Sequence, residues 1–326
     1  MVRLQMFEKN RVKSIKISVV IPTLNRPKKI SECLESIMRQ SLLPFEVIVI
    51  DASESNRTKS LIDSFNPSPV PIRYFTYTPN VVRQRNFGVS KTIGNWVQFS
   101  DDDIVFSKDY FDNLVNFISN LDEPRVGGVM GRIVPGVSET QSFFDRLKSV
   151  TGKLFTKFFL LDSEGTGYLK KSGFGTWLNP KNVLLPQKVG ILNGVACYKR
   201  EVFDRFQWDT FFTGYAYDED SELAESVGTE YTLYYVPSAT MQHNCIRKEK
   251  GDPEMHYFQD PEMHYFQMVY HHYYIFKKHR EAYNLSWIAF LWSNIGVFFY
   301  ALLFERNWRA IKGAIIGYMQ VLRKSV

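Results

Sequence analysis

The first hundred residues alternate between short apolar runs and segments in which apolar residues recur at helical spacing. The apolar runs occupy residues 17–21, 45–50, 72–76 and 96–100. Helical spacing is found between them, at residues 28–40, around Leu61, Ile62 and Phe65, and at 81–93. Strands that are apolar throughout and alternate with helices are typical of parallel sheets covered on both faces. The alternation therefore predicts an α/β protein with a doubly wound, mostly parallel sheet.

Acidic side chains follow two of these strands. Asp51 ends the second strand, and Asp101, Asp102 and Asp103 follow the fourth. The carboxyl ends of parallel strands share one edge of a sheet, where ligands of such folds bind. Carboxylates near a low-dielectric core are costly unless a positive charge neutralises them, and oxygen ligands suit Mg²⁺ or Mn²⁺. The triplet predicts a cation site for a phosphate-bearing substrate; the alternative is a solvated acidic turn before the helix near Lys108.

The loop after the first strand argues against two common nucleotide-binding folds. Residues 22–27 read PTLNRP and contain no GxGxxG motif, and no GxxxxGK[ST] motif occurs in the chain. Glycines in those motifs let the backbone approach phosphates closely. The sequence therefore does not indicate a dinucleotide site or a P-loop.

Charge and cysteine content narrow the range of partners and compartments. The formal net charge is +6 over 326 residues without a Lys/Arg run of the nucleic-acid type, so a membrane surface or a phosphorylated substrate explains it at least as well. Cys33, Cys197 and Cys245 are scattered, which indicates neither disulfides nor zinc and favours a reducing compartment. Residues 1–16 are basic and lack the apolar stretch of a signal peptide, so we expect a cytosolic protein body.

The pattern is less regular beyond residue 127. It predicts strands at 126–134, 191–198 and 231–236, helices at 141–161 and 217–227, and a long loop at 163–188. An identical tandem repeat, DPEMHYFQ, occupies residues 252–259 and 260–267. Two copies are too few for a solenoid. We interpret the repeat as a local duplication that extends a helix or a loop.

Residues 285–304 contain no charged residue over twenty positions, which is the length of a bilayer span. Basic residues flank this segment on both sides and give no orientation by the positive-inside rule: Lys277, Lys278 and Arg280 before it, and Arg306, Arg309 and Lys312 after it. A membrane span, an interfacial or re-entrant helix and a buried core helix are the three alternatives.

Five motifs follow one another along about two-thirds of the chain. They are VVIPTLNR at 19–26, VIVID at 47–51 before a serine-rich loop, RNFG at 85–88, DDD at 101–103 and DED at 218–220. In this order they resemble the family-2 glycosyltransferases. The resemblance implies the A-type, Rossmann-like nucleotide-sugar-binding fold, here followed by a helical, apolar C-terminal extension.

The resemblance also implies a nucleotide-diphospho-sugar donor at the sheet edge, a UDP-sugar being favoured. Asp51 would accept a hydrogen bond from the N–H of a uracil-like base. Arg83 and Arg85 would offer guanidinium groups to the diphosphate, although Arg85 could instead pair with the acids. The predicted donor-binding residues are Pro22, Thr23, Asn25, Asp51, Arg83, Arg85, Asn86, Asp101 and Asp102.

The same resemblance implies a divalent cation, Mn²⁺ or Mg²⁺, as cofactor. Asp103 would bind the cation that bridges the two phosphates, and Asp101 would meet the ribose or the cation. His243 is a further candidate ligand, because some relatives have a histidine after the corresponding strand. A single histidine at such a position is also commonly a structural residue.

Asp218-Glu219-Asp220 starts a predicted helix, where the macrodipole favours acids even without catalysis. The resemblance makes Asp220 the general base that removes a proton from the acceptor hydroxyl, with Glu219 as the alternative. The direct displacement would invert the anomeric centre. The usual Glu-Asp-x-Asp-Leu motif has Glu222 at its fourth position here, which leaves the choice of base open by one residue.

These observations predict three regions: a basic tail at 1–16, a nucleotide-sugar transferase domain at 17–245 and a helical, membrane-associated region at 246–326. The predicted function is inverting transfer of a sugar to a hydroxyl of a lipid-linked or polysaccharide acceptor at the cytoplasmic face of the cell membrane. A processive polysaccharide synthase is the alternative, but the chain lacks a QxxRW motif and several long apolar segments. A non-catalytic sugar-nucleotide-binding protein would be expected to have lost the acids.

Overall fold

The computed structural model describes residues 15–134, 143–179, 181–214, 216–244 and 260–324. In these ranges one mixed sheet forms the centre of the protein, and three helices follow it at the C-terminal end. The basic tail, Cys245 and the first copy of the tandem repeat lie outside the described residues.

Nine strands make up the sheet in the described ranges. They are β1 (Ile17–Thr23), β2 (Glu46–Asp51), β3 (Ile72–Thr76), β4 (Trp96–Phe99), β5 (Ile104–Phe106), β6 (Val126–Val134), β7 (Gln187–Val189), β8 (Cys197–Lys199) and β9 (Thr232–His243). The helices are α1 (Pro27–Met38), α2 (Arg57–Ser64), α3 (Val81–Lys91), α4 (Tyr110–Asn120), α5 (Phe143–Phe158), α6 (Glu219–Gly228), α7 (Pro261–His279), α8 (Trp287–Tyr300) and α9 (Trp308–Lys324).

The strand order is β3-β2-β1-β4-β8-β6-β9-β5, and β7 pairs with β9 outside this path. Strands β1 to β4 are parallel, as is the pair β6 and β9, whereas β5, β7 and β8 pair in the antiparallel sense. The prediction of a doubly wound, mostly parallel sheet is confirmed. The antiparallel strand β8 joins the two parallel parts, so the sheet is mixed.

Apolar side chains fill the space on both sides of the sheet because β1 and β2 are buried on both faces. Val19 belongs to the cluster that includes α1 and α4, whereas its neighbour Val20 belongs to the cluster with α3, Trp208 and α6. Alternate residues of a strand point to opposite faces, so one continuous apolar run supplies both cores.

Three predicted elements beyond residue 127 differ from the structure. The strand predicted at 231–236 continues to His243, so this histidine ends the strand and does not follow it. Residues 191–196 of the predicted strand form a turn whose apolar side chains are buried, and only Cys197–Lys199 joins the sheet. The Gln98 side chain donates to the Val195 carbonyl oxygen at 2.6 Å, which pairs this buried backbone group without a neighbouring strand. The predicted loop at 163–188 ends in β7, which pairs with the beginning of β9, residues 233–235.

The C-terminal helices begin at the second copy of the repeat. Asp260 caps α7 by accepting from the backbone N–H groups of Glu262 and Met263, and Pro261 occupies the first helical position. Helix α9 lies along α7, and a Cβ atom at Gly313 would come within 2.0 Å of the Glu262 carbonyl oxygen. The second copy of the repeat is therefore the start of a helix, and its interpretation as a local duplication stays a prediction.

Candidate functional site

Asp51 lies at the carboxyl end of β2, where the sequence places a donor-binding residue. Its carboxylate accepts from the Ser53 backbone N–H at 2.8 Å and from the Tyr74 hydroxyl at 2.7 Å. The loop after β1 reaches the same place, because the Asn25 backbone N–H donates to the Ser53 hydroxyl at 2.7 Å. Asn25 has a φ of 57°, a left-handed conformation that asparagine tolerates well. The predicted residues at the ends of β1 and β2 thus form one connected edge.

The acidic triplet is neutralised by cations from other elements. Arg26 donates to Asp102 at 2.8 Å and to Asp103 at 2.9 Å, and all three side chains are largely buried. Asp102 also accepts from the Thr23 hydroxyl at 2.7 Å. The sequence analysis gave Arg26 no role, although it is the arginine of the VVIPTLNR motif. Its place in the loop after β1, at the edge where the acids were expected, is the sequence signal that could have indicated this pairing.

Strand β9 brings His243 to the same acids. Its last residues pair with β5, with His243 opposite Ile104, directly after the triplet. The His243 Nε2 atom lies 3.0 Å from Asp103 Oδ1. Burial raises the pKa of Asp103, but the hydrogen bond and charge of His243 and the Arg26 guanidinium outweigh it and lower that pKa to about 2. Asp103 is thereby held ionised across the physiological range.

Asp101, Asp103 and His243 form a group that fits a divalent cation. Each offers a ligand atom, and these atoms lie within 4.8 Å of one another. Two carboxylate oxygens and one imidazole nitrogen suit Mn²⁺, which accepts both ligand types, and Mg²⁺ through the oxygens. The three residues that the sequence analysis named as metal ligands are therefore brought together by the fold.

Arg85 connects the acidic triplet to the start of α6. Its guanidinium group is buried and donates to Asp101 at 3.0 Å and to Glu219 at 2.7 Å. The same group lies over the Trp208 ring, 4.4 Å from its centroid. We predicted that Arg85 either binds the diphosphate or pairs with the acids, and in the structure it pairs with the acids. Trp208 was not anticipated from the sequence.

Two other predicted donor-binding residues lie in different surroundings. Arg83 is exposed on the first turn of α3, where its backbone N–H donates to the Asn80 side chain that caps the helix. The Asn86 amide exchanges hydrogen bonds with the Trp208 backbone, at 2.8 Å to its carbonyl oxygen and 3.1 Å from its N–H. Asn86 thus holds the loop that places Trp208 on Arg85.

The first turn of α6 concentrates acids. Asp218 precedes the helix with a φ of 66°, and Asp220 accepts from the backbone N–H groups of Gly194 at 3.0 Å and Ser221 at 2.8 Å. Burial, together with the charge of Asp220, raises the pKa of Asp218 to about 7 and that of Glu219 to about 8, although Arg85 opposes the rise at Glu219. Burial also raises the pKa of Asp220. Carboxylates with raised pKa values are better proton acceptors.

A second ionic cluster holds α6 against α7. Lys278 lies 2.7 Å from both Glu222 and Asp209, and His279 lies 3.3 Å from Glu222. Lys278 and His279 lower the pKa of Glu222 against the opposing effect of burial. The Glu at the fourth position of the acidic motif therefore serves helix packing rather than the sheet edge.

The fold belongs to the A-type glycosyltransferase class. A solved structure of the mannosyltransferase PcManGT from Pyrobaculum calidifontis, in complex with GDP-Man and Mn²⁺, superimposes with a TM-score of 0.52 at 19% identity, over 98% of this chain and 94% of that chain. Residues 1–349 of S. aureus TarS in complex with UDP superimpose with a TM-score of 0.51 at 16% identity, over 90% of this chain and 74% of that chain.

Sequence comparison gives the family. The sequence model of glycosyl transferase family 2 matches residues 18–181, about half of the chain, and the chain belongs to this family. The Bacillus subtilis glycosyltransferase YwdF is 34% identical over 110 residues, 33% of this chain and 40% of that protein. The Campylobacter jejuni GalNAc(5)-diNAcBac-PP-undecaprenol beta-1,3-glucosyltransferase is 33% identical over 91 residues, 27% of this chain and 29% of that protein. The matches span less than half of either relative.

Proposed function

We propose that the protein transfers a sugar from a nucleotide-diphospho-sugar, preferably a UDP-sugar, to a hydroxyl of a lipid-linked or polysaccharide acceptor, with inversion at the anomeric carbon. The observation that carries this proposal is that three acidic segments, at Asp51, 101–103 and 218–220, lie together at one edge of the sheet. Asp101 and Glu219, 118 positions apart in sequence, are joined through the single guanidinium group of Arg85. The relatives that act on lipid-linked or polymer acceptors support the choice of acceptor class.

The donor would lie along the carboxyl ends of β1, β2 and β4. Asp51 would accept from the base, with Tyr74 and Ser53 holding the carboxylate in place. The cation would be held by Asp101, Asp103 and His243, whose donor atoms suit it. When bound, such a cation neutralises charge on a leaving nucleoside diphosphate.

Asp220 would remove the proton from the acceptor hydroxyl. The acceptor oxygen forms a bond to the anomeric carbon while the bond from that carbon to the phosphate oxygen breaks, and the proton passes to the Asp220 carboxylate. The backbone N–H groups of Gly194 and Ser221 fix the orientation of that carboxylate. Glu219 is bound to Arg85 at 2.7 Å, which makes it the weaker candidate for the base.

Helix α8 and its continuation, Trp287–Glu305, form the one helix in the described ranges long and apolar enough to cross a bilayer by length and composition. One side of it is buried, through Phe290, Asn294 and Val297. The exposed residues from Trp287 to Leu303 are all apolar, with Ile288 82% and Leu291 58% exposed, and the exposed Glu305 ends the helix. A helix with one side packed against the protein along its length suits the membrane interface better than a span.

We therefore infer that this apolar face lies in the cytoplasmic surface of the cell membrane. The face comprises the exposed large apolar residues of α5, α8 and α9, which include Leu154, Phe158, Ile288, Leu291, Ile295, Trp308, Ile315 and Leu322. Tryptophans are favoured at such interfaces, and exposed Lys153, Lys157 and Arg323 on these helices would add about 1 kcal/mol each near anionic headgroups.

A donor panel tests the activity. Purified protein is incubated with UDP- and GDP-sugars and Mn²⁺, and release of the nucleoside diphosphate is measured with and without detergent-solubilised membrane lipid. We expect release with one donor above the others, stimulated by the lipid fraction. If no donor yields nucleoside diphosphate under either condition, the proposal is wrong.

Vesicle flotation tests the membrane face. The double variant Ile288→Glu, Leu291→Glu should lose most of its binding to vesicles of phosphatidylethanolamine and phosphatidylglycerol. Two exposed apolar side chains of the proposed membrane face then become charged. Ile93→Glu is the matched control, since Ile93 is 67% exposed but lies between α3 and β4. Equal flotation of all three proteins, or no flotation of the unaltered protein at low salt, contradicts the inference.

A further inference from the structure

A cavity of about 270 Å³ lies behind the first turn of α6. The segment 161–177 forms one wall, and helices α7 and α8 form the other. The volume is near the lower end of the range of about 300–1,000 Å³ for small-molecule sites, which suits one ring-sized group. None of the residues named so far as donor-binding or metal-binding lines it.

The cavity adjoins the candidate base without containing it. Asp218, Ser221 and Glu225 line the cavity, and their spacing of three and four residues places them on one side of α6. Asp220 leaves the same turn in another direction, toward the Gly194 backbone. A group bound in the cavity is therefore separated from Asp220 only by the start of the helix.

Two buried polar atoms at the cavity have no hydrogen-bond partner among the described residues. The His272 Nε2 atom lies 2.9 Å from the Ser172 carbonyl oxygen and so carries the proton, which leaves Nδ1 as an unpaired acceptor. Glu225 Oε2 makes no hydrogen bond either, and it lies at ion-pair distance, 3.8 Å, from the His279 ring nitrogen. Both side chains are at least 98% buried. A buried polar atom without a hydrogen bond is destabilising, and a ligand with hydroxyl groups would supply the missing partner.

The charge and ring content of the cavity indicate the class of ligand. Carboxyl groups of Asp218, Glu225 and Glu305 line it, and its described lining includes no lysine or arginine, so a phosphate is disfavoured. Phe174, stacked on His272, and Trp177 line the cavity with aromatic rings, and carboxyl oxygens accept hydrogen bonds from hydroxyl groups. Apolar faces beside hydrogen-bond acceptors match a neutral sugar ring.

The cavity is also continuous with the helices of the apolar face. Thr156 of α5 and Val297 and Tyr300 of α8 are among its lining residues. The helix turns into a π-helix at Ala301–Glu305, and Glu305 lines the cavity from this irregular turn. An acceptor whose lipid part stays in the membrane could therefore place a sugar residue here.

We propose that this cavity binds a neutral glycosyl residue of the acceptor, next to the helix turn that carries Asp220. This inference rests on the proposed function and adds to it the location and chemistry of the acceptor site. Ser163 is exposed and lines the cavity, so a large side chain there closes it without disturbing the core.

The experiment compares Ser163→Trp with the matched control Ser163→Ala in the full chain. Binding of methyl glycosides of glucose, galactose, N-acetylglucosamine and N-acetylgalactosamine is measured by saturation-transfer NMR. We expect one glycoside to bind the unaltered protein and Ser163→Ala, and to bind Ser163→Trp at least about 10-fold more weakly. Glu225→Leu, which removes the carboxyl oxygen that lacks a hydrogen bond, should weaken binding of the same glycoside.

Nucleoside diphosphate binding with Mn²⁺ and hydrolysis of the donor by water are measured on the same proteins and should be unchanged in Ser163→Trp. Equal glycoside binding by both Ser163 variants overturns the inference, as does displacement of the glycoside by a long-chain alcohol. If the unaltered protein neither binds the nucleotide nor hydrolyses a donor, the proposed function fails, whereas the glycoside result still decides the cavity.

Discussion

Two acidic triplets, 101–103 and 218–220, lie on either side of Arg85 and differ in how their charges are balanced. In the first, Asp103 has Arg26 and His243 within 3.0 Å, and its pKa falls to about 2. In the second, Asp218 and Glu219 have pKa values raised to about 7 and 8, because they are buried beside Asp220. The residue types are almost the same, and the protonation behaviour is opposite.

The difference comes from partners that are distant in the sequence. Arg26 reaches the first triplet from the loop after β1, and His243 reaches it from the end of β9. The second triplet has Arg85, which it shares with Asp101. One group is thus suited to stay charged and hold a cation, and the other is suited to take up a proton. The following experiments test this division of roles, beginning with the largest expected effect.

Replacement of Asp220 should have the largest effect on turnover. Asp220→Asn keeps the size of the side chain but cannot accept the proton, so kcat should fall by about two to four orders of magnitude. Affinity for the donor should change little, because Asp220 contacts the Gly194 backbone rather than the donor-binding edge. Steady-state kinetics and nucleotide titration measure the two quantities.

Glu219→Gln is the comparison for this experiment. It lies one position earlier in the same turn and also loses a carboxylate. If Glu219→Gln shows the large fall in kcat with normal donor affinity and Asp220→Asn does not, Glu219 is the base and our assignment is wrong by one residue.

Replacement of Asp103 should act on donor binding instead. Asp103→Asn removes a charge from the cation group, so the gain in nucleoside diphosphate affinity on adding Mn²⁺, expected to be several kcal/mol, should be lost. Isothermal titration with and without Mn²⁺ measures it. Asp109→Asn is the control, because Asp109 is exposed and lies six positions later. Mn²⁺-stimulated binding that survives in Asp103→Asn would contradict the cation role.

The fold and much of this edge could be predicted from the sequence because their signals are local. Apolar runs that end in Thr23, Asp51 and Phe99 give strands, and the carboxyl ends of parallel strands must meet. The acids that follow such strands are therefore brought together whatever the rest of the chain does. The order of motifs then gave the family.

The pairings within the site could not be predicted in the same way. The turn at 191–196 is as apolar as a strand, yet it supplies the Gly194 N–H that orients Asp220. The loop that carries Trp208 has no motif and is fixed by Asn86. These contacts join residues 26 and 122 positions apart and depend on tertiary packing, for which a single sequence has no local signal.

Replacement of Arg85 should have a smaller effect and bear on both triplets. Arg85→Lys keeps the charge but loses the planar fork that reaches Asp101 and Glu219 together, so we expect a loss of about 1–3 kcal/mol in the free energy of unfolding. Urea denaturation measures it. Arg83→Lys, on the exposed side of the same helix, should change stability by less than about 0.5 kcal/mol. Equal effects of the two variants would mean that the contacts of Arg85 with Asp101 and Glu219 contribute little to stability.

Asp218 offers the smallest and most specific test, because its effect should depend on pH. Its pKa is raised from 3.8 to about 7 in the folded protein, so the folded state binds more protons than the unfolded state between these values. The contribution of Asp218 to the free energy of unfolding is therefore fully present below about pH 4 and is lost as the pH rises toward 7. Asp218→Asn removes the titration, and asparagine tolerates the φ of 66° at this position. Urea denaturation should find the variant about 1–2 kcal/mol more stable than the unaltered protein at pH 8 and closer to it at pH 5. Asp63→Asn, which removes an exposed carboxylate paired with Lys59 at the end of α2, is the control. A variant that is less stable at pH 8 would mean that Asp218 is ionised and well paired in the folded protein, and the contrast between the two triplets would fail at this residue.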